Sequence, residues 1–295
     1  MSASSSKRPV NPPVSVPRLP DLYPTAFVTG ASAGLGRAFA AMLLAEGVRV
    51  WGTARDPARL GELAARHPTL FTSVALDLAD PTSAVAALAR ASEAAGGGFD
   101  LVVQNAGYGG GFGEFSNVDF APWHAQLDAM LLTTARLSQA ALKVMRARNR
   151  GCLVHVSSIA AEFPLPFMSG YNVAKAGLSA LSESLIFETR GTGVTVIDFR
   201  PGDYRTAFNQ AMQATTSVNA ADPRLARAWL TLESNLEAAP PPVRAAADLR
   251  RALLRRRSGV VRSGSFFQAR LAPFLARLAP TSLVRTVAAR YFGSI

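Results

Sequence analysis

The feature that most constrains this chain is a regular alternation of short apolar runs with longer segments that carry helix signals. Residues 25–29, 48–53, 71–76, 100–103, 152–156 and 194–199 read as strands. Between them, helical segments span residues 37–46, 57–66, 122–148 and about 170–190. A further helix is opened by Asp80-Pro81-Thr82, a capping residue with a proline just inside, and is closed by Gly96-Gly97-Gly98. Strands that are apolar throughout suit a parallel sheet buried on both faces. The pattern predicts an α/β fold, a doubly wound parallel sheet of the Rossmann type in a single domain. A chain of 295 residues is long enough to bury such a core.

Two local patterns carry chemistry. Gly30, Gly34 and Gly36 lie between the first strand and the first long helix. Glycine lets the backbone turn tightly and approach a pyrophosphate, and the helix N-terminus behind it favours an anion. The same glycines would also serve a turn needed only for packing. Farther on, Tyr171 and Lys175 stand four apart on one helix, with Ser158 thirteen positions upstream of the tyrosine. A free phenol titrates near ~10, and a neighbouring ammonium favours the phenolate. With a serine hydroxyl holding a substrate oxygen, the three read as a proton-transfer site for an alcohol or a carbonyl. Taken alone, the Tyr–Lys spacing also occurs on solvated helices.

Together these motifs resemble the short-chain dehydrogenase/reductase family. The resemblance rests on Thr29-Gly30-Ala31-Ser32-Ala33-Gly34-Leu35-Gly36, Asn105-Ala106-Gly107, Ser158, Tyr171 with Lys175, and Pro201-Gly202 with Thr206. They stand in the family's order and cover roughly residues 22–208. The resemblance implies a Ser-Tyr-Lys triad: Ser158 polarises the substrate oxygen, Tyr171 is the acid or base, and Lys175 lowers the tyrosine's pKa and binds the nicotinamide ribose. It also implies that Gly30, Ser32, Gly34, Leu35, Gly36, Asn105, Ala106 and Gly107 line the cofactor cleft. Asp77 would bind the adenine ring, unless it is only a turn aspartate ahead of a helix, and Pro201, Gly202 and Thr206 would border the nicotinamide. Arg37 is a further candidate near the loop. Ser158 is preferred to Ser157 on spacing, and neighbours in an extended stretch face opposite ways.

Three positions vary the pattern. Ala54 occupies the place where NAD-specific relatives carry an acid, and Arg55 follows it. An arginine there suits the 2′-phosphate, so NADP(H) is expected over NAD(H), unless Arg55 is a surface residue paired with Asp56 or Glu62. Gln104 stands where many members have asparagine. Met130 aligns with an asparagine that orients a water in many members, which opens a second reading: a catalytically weak relative that binds the dinucleotide as a sensor or scaffold.

The remainder concerns partners. Residues 207–239 are expected to form a substrate lid whose Phe208, Met212, Leu225, Trp229 and Leu230 either suit a hydrophobic secondary alcohol or ketone, steroid-, retinoid- or lipid-like, or simply pack the lid. The formal charge of +11 is concentrated at the C-terminus: from Arg244 onward there are eleven arginines and one acid, Asp248. Residues 251–295 read as a basic amphipathic extension that folds onto the enzyme or meets an anionic membrane. No nucleic-acid motif accompanies it, so nucleic acid is not an expected partner. A homodimer or homotetramer is implied by the resemblance, and small Ala174, Gly177 and Ala180 would permit close helix contact. Residues 1–22 read as a flexible Ser/Pro-rich tail ahead of a domain over 23–250. His67, His124 and His155 are too scattered for a metal, and none is expected. The single Cys152 suits a reducing compartment, and with no signal peptide apparent the expected location is the cytoplasm, peripheral to a membrane if the extension binds one.

Overall fold

The computed structural model describes residues 17–206 and 222–293. Seven strands form one parallel sheet: β1 Thr25–Val28, β2 Arg49–Ala54, β3 Phe71–Ala75, β4 Leu101–Gln104, β5 Gly151–Val156, β6 Val194–Pro201 and β7 Gly259–Ser263. Their order is β3-β2-β1-β4-β5-β6-β7. The chain reverses direction across the sheet between β1 and β4, so a crevice opens beyond the carboxyl ends of those two strands.

Helices cover both faces. On one side α2 Gly34–Ala45 and α9 Pro242–Arg255 pack together over Val28, Val50, Val103, Val154 and Phe199. On the other, α4 Pro81–Ala94, α6 Thr134–Ala147 and α7 Ser169–Glu188 cover Phe27, Val102, Leu153 and Val196. The remaining helices are α1 Leu19–Leu22, α3 Gly61–Arg66, α5 Phe120–Leu127, α8 Pro223–Glu237, α10 Ala272–Leu278 and α11 Thr281–Tyr291. All six residues of β5 are buried, as a strand in the middle of a two-sided sheet requires. The start of α4 follows its sequence signal, with the Asp80 carboxylate accepting from Ser83 N at 3.0 Å.

Four features depart from the sequence reading. The single helix expected over 122–148 is α5 and α6 joined by a π-helical stretch, Asp128–Thr133, which contains Met130. A seventh strand, β7, lies in the arginine-rich segment and pairs with β6, so the sheet runs past residue 250. The expected tail is ordered at its end, where α1 places fully buried Leu19 in the core shared with Leu249 and Leu253. Gly177 faces its own chain: a Cβ there would lie 2.7 Å from Leu131 Cδ2. Ala174 is also buried within the chain, so two of the three small residues serve internal packing.

One row of the sheet is unusual. Val102, Leu153 and Val196 pair across β4, β5 and β6 and are apolar. Two residues farther along, on the same face, Gln104, His155 and Asp198 pair in the same way and are also buried.

Candidate active site

The glycine loop is shaped by close approaches. Gly30 and Gly34 have φ of +69° and +53°, in the left-handed region that glycine adopts without a Cβ penalty. A Cβ on Gly36 would collide with the Gly30 carbonyl oxygen and Asn105 Nδ2. Thr29 Oγ1 accepts from both Asn105 N and Ala106 N at 2.9 Å, and Asn105 Nδ2 donates to Thr29 O at 3.1 Å. Thr53 Oγ1 accepts from Gly30 N at 3.2 Å. These bonds tie the ends of β1, β2 and β4 around one hollow. No side chain caps the N-terminus of α2, so its first-turn N–H groups are left for an anion. Thr206 closes the hollow from above, 3.4 Å from where a Gly34 Cβ would sit. Half-buried Ser32 and Leu35 lie within the loop.

Arg55 stands exposed just past β2 and makes no ion pair among the described residues. Arg37 is engaged by Glu62, which also takes Arg66 at 3.0 Å. Asp77 is exposed past β3, and its Oδ1 accepts from Ala79 N at 3.0 Å, shaping a turn. Burial pushes the Tyr108 phenol up, with Arg55 lowering it and Asp77 raising it, so both charges act on this residue beyond Gly107. The spacing of motifs gave no notice of Tyr108. The glycine cradle, the uncapped helix and an unpaired arginine together fit a dinucleotide phosphate. Among the described residues no cluster of His, Cys, Asp or Glu could hold a metal.

The structure brings Ser158, Tyr171 and Lys175 together. Ser158 follows β5, where its Oγ accepts from Ala160 N at 3.0 Å and donates to Pro201 O at 3.5 Å. Ser157 points the other way, onto Asp198. Tyr171 lies in the first turn of α7, with Lys175 one turn on; the ammonium is 5.7 Å from the phenol ring centre. Lys175 Nζ donates to Val156 O at 2.8 Å. The expected lowering of the phenol pKa is not what this arrangement produces. Burial pushes Tyr171 up to about 12; Ser158 partly offsets this, and the Asp203 carboxylate adds to it. Burial likewise pushes Lys175 down to about 8, against the pull of Asp198.

Met130 is buried against Gly107, where a Cβ would lie 3.1 Å from its Cε. Gln126 Nε2 reaches its sulfur at 3.7 Å and donates to Tyr108 O at 3.1 Å. Gln104 is buried, with neither amide atom hydrogen-bonded.

A family model described as short chain dehydrogenase matches residues 24–217. The chain belongs to the short-chain dehydrogenase family. It is 40% identical over 185 residues to an "Uncharacterized oxidoreductase" of Myxococcus xanthus, covering 61% of this chain and 72% of that protein. A "Probable NADP-dependent dehydrogenase" of Haemophilus influenzae is 32% identical over 178 residues, with 60% and 70% covered. The crystal structure of a short-chain dehydrogenase from Streptomyces avermitilis superposes with a TM-score of 0.74 at 29% identity, covering 89% of this chain and 96% of that one. The present protein is thus an oxidoreductase acting on CH–OH groups with NAD(P).

In this dehydrogenase the tyrosine lies under an apolar cover. Phe112, Met168, Leu225, Trp229 and Leu232 form a buried cluster against which Phe167 and Tyr171 pack. Phe112 meets Trp229 at 5.1 Å and Phe167 at 5.6 Å between ring centres. Phe167 has a φ of +61°, a strained conformation for a side chain of its size. Leu225 and Trp229 are buried, whereas Leu230 is 63% exposed and faces away. Phe208 and Met212 lie outside the described residues. The C-terminal extension also reaches the site's edge. Gln268 Nε2 donates to Asp203 Oδ2 at 2.5 Å and to Tyr291 OH at 3.1 Å, while Gln268 Oε1 accepts from Asp203 N at 3.2 Å. At Gly202, whose N–H donates to Ser263 O at 2.7 Å, a Cβ would sit 2.5 Å from Gln268 Oε1 and would displace that side chain. Nothing in the spacing of motifs pointed to this clasp.

The depressed Lys175 pKa makes a pH prediction. In the unfolded chain a lysine titrates near ~10.4. From about 8 upward the folded protein releases this proton while the unfolded chain still holds it. The unfolded state then binds more protons, so this group's contribution makes stability rise with pH over that window. Lys175→Met should remove that rise, worth up to about 3 kcal/mol. Urea midpoints at pH 7.5 and 10 check this (roughly the two ends of the window). An equal pH response in both proteins would refute it.

Proposed function

We propose that this dehydrogenase interconverts a hydrophobic secondary alcohol and its ketone with NADP(H). The observation that carries the reading is the Ser158–Tyr171–Lys175 group, with Ser158 and Lys175 buried and Tyr171 half-buried against the Phe112–Phe167–Trp229 cluster. Ser158 Oγ would hold the substrate oxygen, and Tyr171 would give its proton to that oxygen as it gains negative charge. A phenol pushed up to about 12 keeps its proton at neutral pH, which suits the reducing direction. The Lys175 ammonium would stabilise the phenolate left behind. The dinucleotide, when bound, supplies the hydride for reduction and takes it back in oxidation. The apolar cover would exclude water and favour a steroid-, retinoid- or lipid-like substrate over a sugar. A second reading, a cofactor-binding protein with little turnover, is favoured by the Met130 thioether packed where it meets Gly107.

Purified protein given NADPH and a panel of apolar ketones should turn over at least one of them. Tyr171→Phe should lower kcat by at least about a hundredfold while leaving NADPH affinity nearly unchanged. Tight NADPH binding without turnover on the whole panel would favour the second reading; an active Tyr171→Phe would remove the tyrosine from the mechanism.

The preference for NADP(H) is supported by Ala54 in place of an acid, by unpaired Arg55, and by the name of the Haemophilus influenzae relative. Arg55→Ala should weaken NADPH roughly tenfold or more and leave NADH nearly unchanged, as loss of a charge-assisted phosphate contact would. Equal effects on the two nucleotides, measured by fluorescence titration, would remove Arg55 from the argument.

The C-terminal helices support a membrane contact. Opposite the inner positions Pro273 and Ala276, α10 exposes Phe274, Leu275 and Leu278, continuing from exposed Leu271 in the π-helical turn Phe267–Leu271 just before it, with Arg270 and Arg277 along one border. The adjoining α11 exposes Leu283 and Val287, and no acidic residue follows Asp248. Apolar side chains bordered by arginine suit an anionic lipid surface. Among the described residues no helix is long and apolar enough to cross a membrane. The protein should sediment with vesicles containing phosphatidylglycerol and not with pure phosphatidylcholine, and the pair Phe274→Ser with Leu278→Ser should release it. Sedimentation that ignores both lipid charge and substitution would exclude the contact.

A further inference from the structure

The polar row beneath the site has a structure of its own. Gln104, His155 and Asp198 are 3%, 0% and 0% exposed, on a sheet face that is apolar two residues earlier. Polar groups so placed are costly unless hydrogen-bonded. His155 is held by Ser138 Oγ at 2.7 Å and Ser182 Oγ at 2.8 Å. Asp198 accepts from the hydroxyl of Ser157, from Ser179 Oγ at 2.7 Å and from Arg200 Nε at 2.7 Å.

The covering helix carries a matching stripe. Tyr171, Lys175, Ser179 and Ser182 recur at spacings of four, four and three, which places them on one face of α7. The column that starts at the phenol therefore continues through Lys175 to the serines that meet Asp198 and His155.

The carboxylates around this column outnumber its guanidinium groups. Asp198, Glu162 and half-exposed Glu183 all contact Arg200, and Arg262 contacts Glu162 at 2.7 Å. With Asp203 a fourth carboxylate near the phenol, the Lys175 ammonium is the one further cation of the column among the described residues. The groups acting on Lys175 are Tyr171 on its own helix, His155 on β5 and Asp198 on β6, with Arg200 bound to that carboxylate. Asp203, after β6, acts on Tyr171. Burial pushes His155 down to about 4, so it is neutral at working pH and leaves the compensation to Asp198.

We propose that Asp198 is a positioning residue for the reaction: its carboxylate, held by Ser179, is the buried counter-charge that keeps Lys175 protonated and seated on the Val156 carbonyl. The proposal rests on the role given above to Lys175 in turnover, but the pairing of the two charges can be measured without turnover.

The first arm is kinetic. Asp198→Asn, which keeps the shape and removes the charge, should move the alkaline limb of the kcat–pH profile down by about one unit. KM for the ketone and the affinity for NADPH should stay within about twofold. A uniform loss at every pH, with the limb unmoved, would make Asp198 merely structural and overturn the proposal. The second arm reads folding. Asp198→Asn should lower the melting temperature because it leaves the Lys175 ammonium uncompensated and takes a carboxylate from Arg200. Adding Lys175→Met to it should recover the Lys175 part of that loss and leave the Arg200 part, a coupling that independent sites do not show. Losses that simply add in the double variant would overturn the pairing, even if no substrate for the enzyme had been found. Coupling in folding together with a protein that never turns over would instead count against the catalytic reading alone.

Discussion

Much of this molecule hangs on one hydroxyl. Thr29 Oγ1 takes the backbone N–H groups of Asn105 and Ala106 at the point where the sheet order reverses. Those two bonds hold the ends of β1 and β4 together just where the crevice forces their following segments apart. The glycine turn, the start of α2 and the Gly107 contact with Met130 are all positioned from that seam. A looser join would leave Gly36 free to carry a side chain; the tight one is why it cannot.

The elements read from the sequence with least ambiguity were those governed by local signals. Apolar runs such as residues 152–156 have few alternatives to a buried strand, and Asp80-Pro81 marks a helix start by its own chemistry. The candidate site was legible for the same reason, since each of its residues is a chemically necessary type at a fixed offset. What escaped notice depends on long-range partners. Gly259–Ser263 is a strand because β6 offers it an edge, and its arginine-rich flanks hide that. The π-helical stretch at Asp128–Thr133 has no periodicity signal, because an apolar helix with one residue of slippage still looks helical. Gln268 reaches Asp203 from sixty-five positions away and donates to Tyr291 twenty-three positions on, a relation no spacing rule contains.

Electrostatics was the least legible level. The sequence puts an ammonium one helical turn from a phenol, and the elementary expectation is a more acidic phenol. Depth reverses the outcome, since burial disfavours the charged form of each partner and the ammonium's hydrogen bond goes to the Val156 carbonyl. Which effect wins is set by how much protein lies above the pair, here the aromatic cover from Phe112, Phe167 and Trp229. Spacing alone says nothing about that cover.

The clasp between Gln268, Asp203 and Tyr291 also bears on how the protein should be handled. A Cβ on Gly293 would fall 3.3 Å from the Arg227 carbonyl oxygen on α8, so the chain end described by the structure lies against the helix that supplies Trp229. The described end of the chain thus packs on the outer face of α8, opposite Trp229, whereas Leu19 and α1 sit where the central strand β1 begins. A purification tag or fusion partner belongs on the amino-terminal side. Placed at the other end it would pull on α8, the helix that bears Trp229, and a weak enzyme would then be a product of cloning.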